Sequence, residues 1–259
     1  MNRYFWRMGD NNTNSRFEQG ITIYAIISAM VKETPGILVL NGWAASKHAW
    51  DLCKFMQCPT PNGLMPTLIS YVEQLNGVPE DIFAQGGKFI LVGWSMGGSS
   101  ALRLACRHPE QVAGLVLVAT TPRMMEERET GWIGMSPRRL EALRKGLELT
   151  HGQGFFGVPD DKPNPYMMDE SENLERGLKY LLETDVRTDV KRVFGSGCDF
   201  PVHIFQCEND GIVRKSNALW LKDVFPNAKL TMLEGSEHAL PIMIPHMIDN
   251  AVRETLDKR

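Results

Sequence analysis

A serine flanked by glycines is the feature of this sequence best suited to chemistry. Ser95 lies in the segment Gly93-Trp94-Ser95-Met96-Gly97-Gly98, directly after an apolar run and directly before a stretch with helical spacing. A sharp turn from strand to helix needs small neighbours, because a Cβ at Gly93 or Gly97 would collide with the turning backbone. Such a turn presents the hydroxyl beside the N–H groups of a helix N-terminus. The pattern predicts a nucleophilic serine; the alternative is an ordinary Gly-rich turn.

A serine hydroxyl is a weak nucleophile at neutral pH, so it needs a base and a carboxylate that orients the base. Two later loops supply both groups in the order serine, acid, histidine. Asp210 follows the apolar run that ends at Cys207, and His238 lies in a loop with Gly and Ser after the next run. Because parallel strands bring their carboxyl ends to one edge of a sheet, we expect the three side chains to meet there.

Other residues compete for two of these roles. Glu208 is close to Asp210 and could orient the base if the loop were rotated, whereas Asp199 precedes its strand and lies at the wrong end. His203 falls inside an apolar run and His108 precedes a proline at a helix end, so we expect both to be structural. The remaining histidines are expected at the surface: His48, His151 and His246.

Attack by a serine on an ester carbonyl also needs two N–H groups that stabilise the developing oxyanion. One is expected from Met96, the residue after the nucleophile. The other is expected from the loop Asn41-Gly42-Trp43-Ala44, which follows an apolar run at residues 37–40. Gly42 allows close approach of the backbone, so the N–H of Trp43 is the expected second donor. Its ring could wall the acyl pocket at the same time.

Short apolar runs bounded by turn residues predict the strands that position these groups. Runs that are apolar on both faces suit a mostly parallel sheet flanked by helices. A more alternating run, Lys229–Leu233, is expected near an edge, and residues 21–29 are expected to add one or two antiparallel edge strands. Helices are expected over 99–107 and 247–256, and the alternation predicts an α/β fold. The buried runs are 37–40, 89–92, 115–118 and 202–205.

Two segments depart from this alternation. Over residues 65–75 the apolar positions fit either a strand at 68–72 or one face of a helix. Residues 122–184 contain leucines at helical spacing and nothing that resembles a buried strand. We therefore expect a helical cap at 122–184, inserted into a core formed by residues 1–121 and 185–259.

Charged and aromatic side chains of the expected cap are candidate binding residues. A basic cluster surrounds Glu141 and would form a positive face one helical turn long. The alternative is a solvated helix surface, which charge runs usually are. Phe155 and Phe156 in the following loop would line an acyl channel or simply anchor the loop. The basic cluster consists of Arg138, Arg139, Arg144 and Lys145.

Composition excludes several classes of function. The chain is 43% hydrophobic and 23% charged, enough for a substantial core, and its net charge of −3 offers no basic excess for nucleic acid. Five cysteines without a CxxC pair indicate neither a disulfide framework nor a zinc site, and favour a reducing cytoplasm. The apolar run at 21–31 is too short to span a bilayer. We expect no metal and no membrane partner.

These motifs resemble those of the α/β-hydrolases. More narrowly, the chain resembles the family of pimeloyl-[acyl-carrier protein] methyl ester esterases of biotin synthesis, over roughly residues 35–255. The resemblance rests on the segments 39–43, 93–98, 115–122 and 184–187 and on the loops of Asp210 and His238.

The resemblance implies a cofactor-free serine esterase. Ser95 would attack the methyl ester of a pimeloyl group on its carrier protein, and basic cap residues would bind that acidic carrier. The chain departs from the family in three ways. Asn41 stands where relatives usually carry His. The usual Asp-x-Pro-Gly-x-Gly loop is absent, with residues 66–88 correspondingly short, and residues 1–20 match nothing in the family. The alternatives are a small-molecule esterase or thioesterase without a protein partner, and a hydrolase-fold binding protein without activity.

Overall fold

A parallel β-sheet with helices on both faces forms the centre of the molecule, as the sequence predicts. The structure is a computed structural model. The predicted edge strands at 21–29 and the side chains of Phe155 and Phe156 lie outside the residues that it describes. The described residues are 34–78, 81–84, 86–150, 162 and 171–258.

The sheet has the order β2-β1-β3-β4-β5-β6, and each neighbouring pair is parallel. The sequence predicts five of these strands, and the alternating one, β6, lies at an edge as expected. Parallel pairing places all the strand carboxyl ends at the same edge of the sheet. The strands are β1 Gly36–Leu40, β2 Thr67–Ile69, β3 Phe89–Trp94, β4 Val112–Val118, β5 Val202–Cys207 and β6 Lys229–Leu233.

Alternate residues of each strand enter two separate apolar cores. In β1, Ile37 and Val39 pack into one core, whereas Leu38 and Leu40 pack into the other. Short 3-10 helices cover Lys47–Trp50, Lys54–Gln57 and Pro109–Gln111. The helices are α1 Tyr71–Asn76, α2 Asp81–Ala84, α3 Met96–Arg107, α4 Pro137–Thr150, α5 Ser171–Glu183, α6 Arg187–Phe194, α7 Lys215–Val224, α8 Leu240–Met243 and α9 Pro245–Asp257.

The segment that fits both a strand and a helix contains one of each. Strand β2 ends at Ile69, and Ser70 is the N-cap of α1. The Ser70 hydroxyl accepts from the N–H of Glu73, while the Glu73 carboxylate accepts from the N–H of Ser70. This reciprocal capping box begins the helix one residue after the strand.

Two helices, α4 and α5, lie in the segment expected to form the cap. Their apolar faces are buried in the same core as Trp43, through Leu140, Leu174 and Leu181. Leu182, which shares the helical spacing, is 41% exposed. Among the helices of the described residues, none combines the length and the hydrophobicity that a membrane span requires.

An ion-pair network joins the two ends of this segment. Arg123 contacts the Asp185 carboxylate at 2.7 Å, and Arg187 contacts Asp185 at 2.7 Å and Glu127 at 2.8 Å. Burial alone would raise the pKa of Asp185, but the hydrogen bonds from Arg187 and Arg123 outweigh it and lower that pKa to about 2. The network therefore stays charged and connects the start of the segment to its end.

Candidate active site

Ser95 lies at a tight turn between β3 and α3. Its φ of 55° and ψ of −117° place a non-glycine residue in a sparsely populated backbone region. The Ser95 N–H donates to the carbonyl of Val118 at 2.9 Å, which ties the turn to the neighbouring strand β4. A serine in this strained turn projects from the carboxyl edge of the sheet, where the predicted nucleophile must lie.

The glycines beside Ser95 allow the turn to pack closely. A Cβ at Gly93 would lie 2.6 Å from the Gly97 carbonyl oxygen, and a Cβ at Gly97 would lie 2.0 Å from the carbonyl oxygen of Leu40. Both contacts are with backbone atoms, which cannot rotate away as a flexible side chain could. The turn and the N-terminus of α3 thus approach β1 as closely as backbones allow.

Substituting Gly97 by alanine is therefore expected to destabilise the fold by about 2–3 kcal/mol, or to prevent folding. Urea unfolding of purified protein measures the effect. The matched control is Gly87→Ala, because a Cβ at Gly87 has no atom within 4 Å. Equal stability of the two variants would contradict the close approach of α3 to β1.

The structure brings Ser95, His238 and Asp210 together. The His238 Nε2 lies 3.0 Å from the Ser95 Oγ, and the His238 Nδ1 lies 2.8 Å from the Asp210 Oδ2. The exposed fractions are 7%, 4% and 1% for Ser95, His238 and Asp210. With Nδ1–H donated to the carboxylate, Nε2 carries the lone pair that can accept the serine proton.

Backbone and side-chain donors fix the Asp210 carboxylate. The N–H groups of Ile212 and Val213 donate to its Oδ1 at 2.7 and 3.1 Å, and the Gln206 amide donates to its Oδ2 at 3.1 Å. Glu208, the competing acid, is exposed. Sequence reasoning missed Gln206, because a glutamine inside an apolar strand gives no local signal of its partner.

Trp94 holds the loop that carries the histidine. Its indole Nε1 donates to the His238 carbonyl at 2.9 Å, and the indole is almost fully buried.

The Cys207 thiol lies close to the site, but burial raises the pKa of Cys207 to about 11, so it is neutral near pH 7. Cys207 therefore does not supply a thiolate nucleophile that would compete with the Ser95 hydroxyl.

The two residues expected to supply oxyanion donors lie in the segments next to Ser95, Met96 at the start of α3 and Trp43 in the wall of a cavity that Ser95 also lines. Met96 is the first residue of α3, so its N–H has no carbonyl acceptor within the helix. Trp43 lies in the loop after β1, and its indole Nε1 donates to the Leu174 carbonyl of α5 at 3.1 Å. A Cβ at Gly177 would lie 2.4 Å from the indole, so α5 packs directly on this ring.

A narrow cavity of about 20 Å³ opens above Ser95. A larger cavity of about 510 Å³ lies at the opposite edge of the sheet, beside Lys88 and Asp199. Of these two cavities of the described residues, the small one is lined by both Ser95 and His238, so its lining residues rather than its volume identify it as the candidate site. Its other lining residues are Gly42, Trp43, Trp94, Met124, Leu140, Leu143, Leu181 and Ile212.

The structure separates the basic cluster of α4 into two pairs. Arg144 donates to the Glu141 carboxylate at 2.7 and 3.0 Å, and the Lys145 Nζ lies 3.8 Å from it. Arg138 and Arg139 are exposed at the start of the helix.

In the described ranges, no cluster of three His, Cys, Asp or Glu side chains is arranged to hold a metal ion.

Known proteins resemble this chain in sequence and in fold. Residues 69–242 match the family model of the alpha/beta hydrolase fold. A pimeloyl-[acyl-carrier protein] methyl ester esterase of Nitrosospira multiformis is 27% identical, over 85% of this chain and 94% of the relative. One of Nitrosomonas europaea is 26% identical, over 82% and 91%. An esterase from Exiguobacterium antarcticum shares the fold, with a TM-score of 0.66 and 16% identity over 88% of this chain and 93% of the esterase.

Proposed function

This chain belongs to the α/β-hydrolase fold family and is a carboxylic ester hydrolase, and we propose that Ser95, His238 and Asp210 carry out its chemistry. The observation that carries the proposal is the continuous hydrogen-bond chain from the Ser95 hydroxyl through His238 to Asp210. That arrangement supplies a nucleophile, a base and the carboxylate that orients the base.

In the first half of the reaction, His238 Nε2 takes the hydroxyl proton while the Ser95 Oγ bonds to the ester carbonyl carbon. The N–H groups of Met96 and Trp43 stabilise the resulting oxyanion. The ester C–O bond then breaks, and the leaving alcohol takes the proton from His238. In the second half, His238 deprotonates a water, which attacks the acyl-enzyme. The carboxylic acid leaves and the serine regains its proton.

The proposed substrate is the methyl ester of a pimeloyl group on an acyl-carrier protein, an intermediate of biotin synthesis. The names of the relatives from Nitrosospira and Nitrosomonas support this substrate. The lining of the cavity above Ser95, rather than its volume of about 20 Å³, also supports it, because that lining is apolar apart from the reacting groups. Such a lining suits an uncharged ester and a chain of methylene groups. Hydrolysis creates a carboxylate, which an apolar lining holds poorly, and this favours release of the product.

The proposed contact with the carrier protein lies at the start of α4. Arg138 and Arg139 are exposed there, and their charges suit an acidic partner. Arg144 and Lys145 belong to the same positive face, but both contact Glu141. Charge reversal at Arg138 and Arg139 therefore tests carrier binding without breaking the contacts of Glu141.

The double variant Arg138→Glu/Arg139→Glu is expected to lower kcat/KM for the carrier-linked methyl ester at least tenfold. Hydrolysis of a p-nitrophenyl ester should stay within about twofold. The control is Lys88→Glu, which reverses the charge of an exposed lysine directly before β3, at the opposite edge of the sheet. Methanol release from purified carrier-linked substrate gives the rate.

An equal effect on both substrates, or on neither, would favour a small-molecule esterase or thioesterase. The cleaved bond separates these two alternatives. Methanol release with the carrier still acylated indicates the methyl esterase, whereas a free carrier thiol indicates a thioesterase. Growth of a biotin auxotroph that lacks its own esterase, with the Ser95→Ala form as the control, tests the pathway directly.

A further inference from the structure

Asn41, at the end of β1, is buried and makes four side-chain hydrogen bonds. Its Nδ2 donates to the carbonyl oxygens of Ala45 at 3.0 Å and Ser46 at 2.8 Å. Its Oδ1 accepts from the N–H of Gly42 at 3.2 Å and from the indole Nε1 of Trp50 at 3.0 Å. The carboxamide thus contacts both ends of the loop formed by residues 42–46, which we call the Trp43 loop.

The bonding pattern suits a carboxamide and few other side chains. Two donors face two carbonyl oxygens, and one oxygen faces two N–H groups. An aspartate at Asn41 would keep the acceptor but would supply at most one of the two donors, whichever its protonation state. An alanine would leave four buried polar groups without these partners, each at a cost of about 1–3 kcal/mol.

The Trp43 loop itself has a conformation that needs support. Ala44 has a φ of 57°, a left-handed conformation that is unfavourable for alanine. Strained backbone of this kind persists only where its surroundings hold it. The bonds of Asn41 to Gly42, Ala45 and Ser46 lie on both sides of the strained residue and supply that support.

The main chain of Asn41 is held from the other side. Its N–H donates to the Ile69 carbonyl at 3.1 Å, and its carbonyl accepts from the Gln74 amide at 2.9 Å. Its carbonyl also lies next to Gly97, at the start of α3. The main chain of Asn41 is therefore held in a fixed position relative to the turn of Ser95. Its side chain in turn holds the Trp43 loop in position relative to that turn.

We propose that Asn41 is a positioning residue of the oxyanion hole, since its carboxamide holds the Trp43 N–H in place for the developing oxyanion. The inference rests on the proposed function, which assigns that N–H to the oxyanion. Asn41 touches no reacting atom, and it acts through the Trp43 loop. Misplacement of a reacting or stabilising group by about 1 Å costs on the order of 100-fold in rate.

Asn41→Asp is expected to lower kcat/KM for a p-nitrophenyl ester by roughly 10- to 100-fold, with KM within about threefold of the native value. The inhibition constant of an alkyl trifluoromethyl ketone, which forms a tetrahedral adduct with serine, should rise by the same factor. Loss of stability alone would not produce this parallel change, because both values are measured on folded protein.

The matched control is Asn217→Asp. Asn217 is also buried, accepts from Thr121 and donates to the Arg214 carbonyl, but it lies outside the Trp43 loop. The control should lower the melting temperature and leave the ketone inhibition constant unchanged. If folded Asn41→Asp protein binds the ketone as tightly as the control does, the positioning role is wrong.

A second variant covers the case in which Asn41→Asp fails to fold. Trp50→Phe removes one donor to the Asn41 Oδ1 from outside the loop. A several-fold rise in the ketone inhibition constant supports the positioning role, and an unchanged constant contradicts it. Failure of the proposed function gives a different result, because Ser95→Ala would then retain the native esterase rate whatever the Asn41 variants do.

Discussion

Replacing Ser95 by alanine is expected to lower kcat by about 10⁴- to 10⁶-fold. The substitution removes the Oγ that lies 3.0 Å from the His238 Nε2, so no acyl-enzyme can form. The remaining rate would come from a water activated by His238 and from the oxyanion donors. Steady-state hydrolysis of a p-nitrophenyl ester measures the loss, and circular dichroism checks that the variant folds.

The matched control for this substitution is Ser99→Ala. Ser99 is one helical turn further along α3, is also buried, and donates to the Thr121 carbonyl at 2.6 Å. Loss of that bond should cost about 1 kcal/mol of stability and leave kcat within a few-fold of the native value. A Ser95→Ala variant as active as Ser99→Ala would remove Ser95 from the mechanism.

Asp210→Asn is expected to lower kcat by about 10⁴-fold while preserving the fold. An amide at this position can donate to His238 Nδ1, which stabilises the tautomer whose Nε2 carries the proton. That tautomer cannot accept the proton of the Ser95 hydroxyl. The kcat for ester hydrolysis by the purified variant, measured as a function of pH, gives the size of the effect.

Glu208→Gln is the control, because it makes the same chemical change at the acid that competes for this role in the sequence. Glu208 is exposed, so its variant should keep nearly native activity. A large loss in Glu208→Gln, together with a small loss in Asp210→Asn, would transfer the role of orienting carboxylate to Glu208.

The sheet could be predicted because its strands are buried on both faces. The runs at β1, β3, β4 and β5 are short and mostly apolar on both faces, with His203 and Gln206 of β5 as buried exceptions, a pattern that surface strands do not show. Strand β2 could not be separated from α1 by periodicity, since its three residues are too few to show a period. The capping pair Ser70 and Glu73 was the local signal that marks this boundary.

The positions of the three proposed catalytic residues were predictable for a topological reason. Ser95, Asp210 and His238 each follow a strand, and parallel strands bring such residues to the same edge. The supporting contacts were not predictable. The Trp94 indole reaches a carbonyl 144 positions away, and the Trp43 indole reaches one 131 positions away. Contacts between residues so far apart in the sequence form only in the folded chain, so no local pattern of residues predicts them.

Mass spectrometry after treatment of folded protein with a fluorophosphonate probe tests the role of Ser95 most directly. The probe bonds only to a serine that an adjacent base activates, with loss of fluoride. We expect one adduct per chain, on the peptide that contains Ser95, and no adduct in the His238→Ala variant. An unlabelled Ser95 in native folded protein, or an adduct confined to another residue, would contradict the proposed mechanism.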